Sequence, residues 1–117
     1  MLTTLDDVRF AVIVPATARL LAVLEQLSRT SPSVPMPLVI TAGSNGSHMA
    51  HSRHYSGEAV DIRTHNFRGP DAKHAFQREL AAALGAQFTV LLEDEGLSNE
   101  HLHAQVRKDH AFDPTQE

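Results

Sequence analysis

The sequence predicts one α+β domain in which two helices pack on one face of a sheet. Two segments carry apolar residues at three- and four-residue spacing, typical of amphipathic helices, and other short runs have the composition of strands. The length of 117 residues suits one domain, so residues 1–117 are assigned to a single unit. Hydrophobic residues make up 42% of the chain, which is enough to bury a core beneath such a sheet.

The two predicted helices are recognised by their apolar spacing and by their end residues. The first runs from Pro15 to about Arg29, because proline fits a first helical turn and leucines follow at helical spacing. The second covers residues 69–85, and Gly85 supplies its stop. Each helix therefore presents one apolar face that must be covered by the sheet.

Short runs of alternating or β-branched residues predict the strands. They cover residues 38–42, 59–63, 87–93 and 101–107. Residues 8–14 have a similar composition and are interpreted either as a short strand or as an extended lead-in to the first helix. The tail at 108–117 is polar, and we expect it to be flexible.

Composition excludes several classes of function. The net charge is -4 and the ten lysines and arginines are scattered, so we do not expect a nucleic-acid partner. The absence of cysteine excludes disulfides and thiolate metal ligands. Acids precede the first apolar segment, and Pro15 and Arg19 interrupt it, so neither a signal peptide nor a membrane span is expected. The oligomeric state is not indicated by the sequence.

Histidine is the unusual component of this composition. There are eight in the chain, and they fall mainly in two groups, four between residues 48 and 65 and a pair at His101 and His103. Neutral imidazole is the commonest metal ligand in proteins. With cysteine absent, the two groups indicate a metal site built from histidine and carboxylate.

Strand alternation selects the ligands within these groups. Asp61 shares a face with Arg63, whereas Val60 and Ile62 point to the opposite, apolar face; His101 and His103 are separated from Leu102 in the same way. If the apolar faces pack on the helices, Asp61 and His103 emerge together on the open face. His54 precedes Asp61 across a glycine turn and is the expected third ligand.

A hydrolytic metal site also needs an acid that is not a ligand, to take a proton from the attacking water. Glu100, three residues before His103, is the first candidate, and Glu93 at the end of the preceding strand is the alternative. We expect His101 to act from the second shell, orienting a ligand or donating a hydrogen bond to a developing oxyanion.

Together these positions resemble the signature of the D-Ala-D-Ala metallopeptidases, a group with zinc D,D-carboxypeptidases, vancomycin-resistance dipeptidases and phage L-alanyl-D-glutamate endolysins. The likeness extends from about Leu38 to Val106. The matching residues are Ser52, His54, Gly57, Ala59 and Asp61 in the first motif, and Glu100 and His103 in the second.

The resemblance implies a fold of the hedgehog and D,D-peptidase type, with a small antiparallel sheet and two main helices on one face. It implies Zn2+ held by His54, Asp61 and His103, with Glu100 as general base. The expected activity is hydrolysis of a peptide bond in bacterial peptidoglycan stem peptides, at D-Ala-D-Ala or L-Ala-D-Glu. The protein would be cytoplasmic on synthesis and would reach the cell wall after lysis or in a phage particle.

One departure from the family pattern concerns the substrate. Family members often carry an arginine in the loop after the first core strand, whereas this loop reads Ala42-Gly43-Ser44-Asn45-Gly46. An alternative interpretation therefore stays open, in which the domain is a zinc-binding structural or recognition module with little turnover. The candidate substrate-binding residues are Arg63, Arg53, Asn45 and His51.

Overall fold

The fold is a mixed sheet covered on one side by two helices. The computed structural model describes residues 1–45 and 52–116. The elements are β1 (Leu2–Thr4), α1 (Pro15–Thr30), β2 (Leu38–Ala42), β3 (Ala59–Arg63), α2 (Pro70–Leu84), β4 (Phe88–Glu93) and β5 (His101–Val106). The described strands are ordered β1-β2-β3-β5-β4, and all neighbours are antiparallel except β1 and β2. The predicted α+β class is confirmed.

Both helices bury the apolar faces that their spacing predicts. In α1, Leu20 and Leu24 are fully buried, and in α2, Phe76 and Leu80 are fully buried. They join one core cluster with the alternate residues of β3 and β5, such as Val60, Ile62 and Leu102. The opposite face of β3 and β5 carries Asp61 and His103, as strand alternation predicts. No helix of residues 1–45 and 52–116 has the length and apolar character to cross a membrane.

The N-terminal part of the chain differs from the simplest expectation. A short strand at Leu2–Thr4 pairs in parallel with β2, and the sequence does not single it out because three residues are too few to show an alternating pattern. Residues 8–14 form an extended lead-in and not a strand. Their backbone N–H groups at Arg9 and Ala11 donate to the side chains of Asn45 and Ser44, so no strand ladder is available to them.

The tail after β5 contacts the body of the protein at several points. The Phe112 ring lies 5.5 Å from the Phe88 ring, and the Arg19 guanidinium lies 5.6 Å from the Phe112 centroid. The Gln87 side chain accepts from the Asp113 N–H at 2.7 Å and donates to its carbonyl at 3.0 Å. These contacts oppose the fraying that the polar composition of the tail suggests.

Candidate metal centre

The predicted ligands come together because β3 and β5 pair in a register that sets Asp61 directly opposite His103. Asp61 Oδ1 lies 2.8 Å from His103 Nδ1 and 3.2 Å from His54 Nε2. One donor atom from each residue lies within 4.8 Å of the other two. Tetrahedral zinc with ligands at about 2.0–2.1 Å separates its donor atoms by roughly 3.4 Å, so the three residues form a group that can hold a metal ion.

His54 reaches this group from the turn at 52–58, and Gly57 determines the shape of that turn. Gly57 has φ of 77°, and a Cβ at this position would lie 2.4 Å from the carbonyl oxygen of Val12 and 2.7 Å from Thr17 Oγ1. The Thr17 hydroxyl donates to the Gly57 carbonyl at 2.6 Å. The signature glycine is therefore required both for its left-handed backbone and for the close approach of the lead-in.

The remaining nitrogen of each histidine ligand is fixed by an acceptor. His54 Nδ1–H donates to the Gly43 carbonyl at 2.7 Å, and His103 Nε2–H donates to Gln105 Oε1 at 2.7 Å. Nε2 of His54 and Nδ1 of His103 are thus left to face Asp61. Outer hydrogen bonds of this kind set the tautomer and ring orientation of metal-binding histidines. The sequence places Gln105 on this face, but its role as an orienting residue was not predicted.

The charge of the group is set mainly by Asp61. Burial raises the pKa of this carboxyl, but hydrogen bonds from His103 and His54 outweigh it and hold the pKa far below its usual range. Burial lowers the pKa of His103, yet the hydrogen bonds to Asp61 and Gln105 and the nearby carboxylates raise it above its ordinary value. Asp61 is therefore an anion ready to accept a cation, which is either a proton on His103 or a metal ion.

His101 and Glu93 form a pair beside the group. They face each other across β4 and β5, with His101 Nε2 3.0 Å from Glu93 Oε1 and 3.8 Å from Asp61 Oδ1. His101 Nδ1–H donates to the Asn99 carbonyl at 2.8 Å, so each ring nitrogen of His101 faces an acceptor oxygen. Glu93 Oε1 also lies 4.0 Å from His103 Nδ1.

Glu100, the first candidate for the base, is engaged elsewhere. Its Oε1 lies 2.5 Å from Lys73 Nζ of α2 and 2.5 Å from Thr64 Oγ1, and its Oε2 accepts from the Gly96 N–H at 2.8 Å. Burial raises the pKa of Glu100, but the bonds from Lys73, Thr64 and Gly96 outweigh it and lower the pKa to about 2. The side chain thus contacts the helix side of the sheet. This geometry favours the alternative, Glu93, as the acid nearest the metal group.

Of the predicted substrate-binding residues, two are engaged in structural hydrogen bonds and one lies on the same face of the sheet as Asp61. Asn45 Oδ1 accepts from the N–H groups of Arg9 and Gly43, so its amide shapes the loop after β2. Arg53 is engaged by Glu58 and by the tail. Arg63 lies opposite His101 in the register of β3 and β5, on the open face. His51 lies outside the described residues.

Comparisons with known proteins give no relative for this chain: no family model, no curated protein and no solved structure matches it. The function must therefore be inferred from the residues of the site.

Proposed function

We propose that the protein is a zinc-dependent peptidase of the D-Ala-D-Ala metallopeptidase type, acting on peptidoglycan stem peptides. The convergence of His54, Asp61 and His103 carries the proposal, because each imidazole has its second nitrogen fixed by an acceptor. Two imidazoles and one carboxylate leave a fourth position for water or substrate, as catalytic zinc sites require. When bound, zinc supplies Lewis acidity for the carbonyl and lowers the pKa of water.

Glu93 is the proposed proton carrier. Its Oε1 lies 4.0 Å from Nδ1 of the proposed ligand His103, so the carboxylate is within reach of a water held beside the metal group. The Glu93 side chain is 41% exposed, and its carboxylate is shared only with histidines among the described contacts. It accepts a proton from the attacking water and returns it to the leaving amine.

His101 is the proposed electrostatic partner of the reaction. With Nδ1–H donating to the Asn99 carbonyl, Nε2 faces Glu93 Oε1 at 3.0 Å and Asp61 Oδ1 at 3.8 Å. A fixed N–H in this position can donate to the oxygen that becomes negative when the carbonyl is attacked. Arg63 lies on the same face next to His101 and is the proposed binding group for a substrate carboxylate, which stem peptides supply at both candidate bonds.

A second function is favoured by one observation, the engagement of Glu100. The acid of the second motif pairs with Lys73 and does not face the metal group, which supports a zinc-binding structural or recognition module if Glu93 does not replace it. Such a module would keep the metal and bind stem peptide or another partner without hydrolysis.

The experiment that tests both functions measures zinc content and peptide cleavage on the same samples. We expect one zinc per chain, release of new amines from peptidoglycan or from synthetic stem peptides, and loss of cleavage with retained zinc in Glu93→Gln. Glu95→Gln is the matched control, since Glu95 is an exposed acid that pairs with His74. Zinc without cleavage by the wild type would favour the binding module, and no zinc at all would refute both.

A further inference from the structure

Arg53 precedes the metal ligand His54 and is the centre of a hydrogen-bonded cluster that no part of the proposed reaction uses. Its Nη1 lies 2.8 Å from Glu58 Oε1. Its Nη2 lies 2.8, 3.2 and 2.8 Å from the carbonyl oxygens of Arg107, Lys108 and His110. One guanidinium therefore joins the turn at 52–58 to the tail.

The turn itself is closed around Arg53. The Arg53 carbonyl accepts from the Glu58 N–H at 2.9 Å, and the Glu58 carbonyl accepts from the Val106 N–H at 3.0 Å. The Ser56 hydroxyl donates to Glu58 Oε1 at 2.6 Å. The Arg53 guanidinium, through Glu58, thus belongs to the same hydrogen-bonded network as the backbone that carries His54.

An open pocket of about 360 Å³ lies where the tail, the lead-in and the turn meet, and Phe112, Val12 and Ser56 line it. The tail ring therefore rests against Phe88 and Arg19, whereas the turn is held to the tail by the guanidinium. Arginine suits this task because its planar donors are always charged and reach several acceptors at once.

We propose that Arg53 is a positioning residue that holds His54 in metal-binding geometry by anchoring its turn to the carbonyl groups of the tail. The inference rests on the proposed metal site. His54 Nδ1–H is fixed from one side by the Gly43 carbonyl, and Arg53 fixes the backbone of the turn from the other side. Support of this kind keeps a ligand within the fraction of an ångström that a metal site requires.

The test is zinc affinity, measured by competition with a chromophoric chelator well below the unfolding temperature. We expect Arg53→Met to weaken zinc binding about tenfold or more, as loss of outer-shell support does in other metal sites, and Arg53→Lys to fall between it and the wild type. Arg107→Met is the matched control, because the side chain of this half-exposed arginine has, among the described residues, a 3.5 Å bond to the Ala86 carbonyl and a 4.0 Å contact with Asp109, while its backbone carbonyl stays available to Arg53. Wild-type affinity in Arg53→Met would overturn the proposal.

A second readout separates positioning from general stability and does not need the metal. In the metal-free protein, the ¹⁵N imidazole spectrum of His54 reports the hydrogen bond from Nδ1–H to the Gly43 carbonyl, and we expect Arg53→Met to shift the Nδ1 resonance while Arg107→Met leaves it unchanged. If Arg53→Met does not fold, the double variant Arg53→Met with Glu58→Gln removes the carboxylate that has lost its cation and restores a testable protein. An unchanged His54 spectrum refutes the inference even if the wild type binds no zinc, whereas absence of zinc with an altered spectrum refutes only the proposed function.

Discussion

Lys73 of α2 and Glu100, which immediately precedes β5, form an ion pair with a nitrogen to oxygen distance of 2.5 Å, and Glu100 is only 6% exposed. The pair ties the second helix to the loop that enters the strand carrying His101 and His103. Removing the cation would leave a buried carboxylate with only neutral donors. We therefore expect Lys73→Met to cost about 3 kcal/mol of unfolding free energy, measured by urea denaturation, with exposed Lys108→Met as the control.

The pH dependence of the free energy of unfolding should show the effect of the Glu100 carboxylate. Folding lowers the pKa of Glu100 from the usual value of 4.5 to about 2, so the native state favours its charged form. This contribution is complete above the unfolded-state value and is lost as the pH falls toward 2. The difference in unfolding free energy between wild type and Glu100→Gln should therefore shrink as the pH is lowered from 4.5. A constant difference over this range would contradict the ion pair.

Gly57 and Gly96 provide a pair of variants that separates backbone strain from steric overlap. Both have positive φ, but a Cβ at Gly57 would meet Val12 and Thr17, whereas a Cβ at Gly96 would meet nothing within 4 Å. We expect Gly96→Ala to cost about 1 kcal/mol from strain alone and Gly57→Ala about 3 kcal/mol. Thermal unfolding of the metal-free proteins measures both, and equal losses would show that the lead-in does not press on the turn.

Gln105 should matter for the metal and not for the fold. Its Oε1 accepts from His103 Nε2–H and so leaves Nδ1 to face Asp61. We expect Gln105→Leu to weaken zinc binding about tenfold, while Gln105→Glu, which keeps an acceptor, stays close to the wild type. Chelator competition gives the affinities. Wild-type affinity in the leucine variant would show that the tautomer of His103 is set without this bond.

Glu93 and Glu100 can be distinguished by kinetics. If Glu93 carries the proton, Glu93→Gln should lower kcat by about 10²- to 10⁴-fold with little change in KM. Glu100→Gln should act mainly on stability and leave kcat of the folded enzyme within a few-fold of wild type. Steady-state rates on a stem peptide measure both variants, and the reverse pattern would assign the base to Glu100.

Much of the architecture follows from periodicity. Helical spacing places α1 and α2 within a residue or so of their observed ends, and alternation assigns Asp61 and His103 to the open face, where register then makes them neighbours. The strand at Leu2–Thr4 was missed because three residues are too few to show an alternating pattern. These residues become a strand by pairing with β2, which is distant in sequence.

For the candidate site, the sequence predicted the ligand group but not the contacts of Glu100 and Arg53. The ligands are fixed by local motifs, whereas the engagement of Glu100 depends on Lys73 and Thr64, which are distant in sequence. Strand alternation does indicate that Glu100 points away from the metal group, because it is two residues from Leu102 and so lies on the buried face. Arg53 gave no comparable signal, since its acceptors in the tail are backbone carbonyls, which any sequence supplies.

The lead-in at 8–14 closely approaches the two glycines beside His54, Gly43 and Gly57. The Arg9 carbonyl would lie 2.4 Å from a Cβ on Gly43, and the Val12 carbonyl lies at the same distance from the corresponding position on Gly57. One strip of chain therefore covers the residue that orients His54 and the turn that carries it. Local opening of this strip would release both loops at once, so the N-terminal segment and the metal group should exchange their amide hydrogens as one cooperative unit, and an ion bound among the ligands should slow exchange at Arg9 and Ala11.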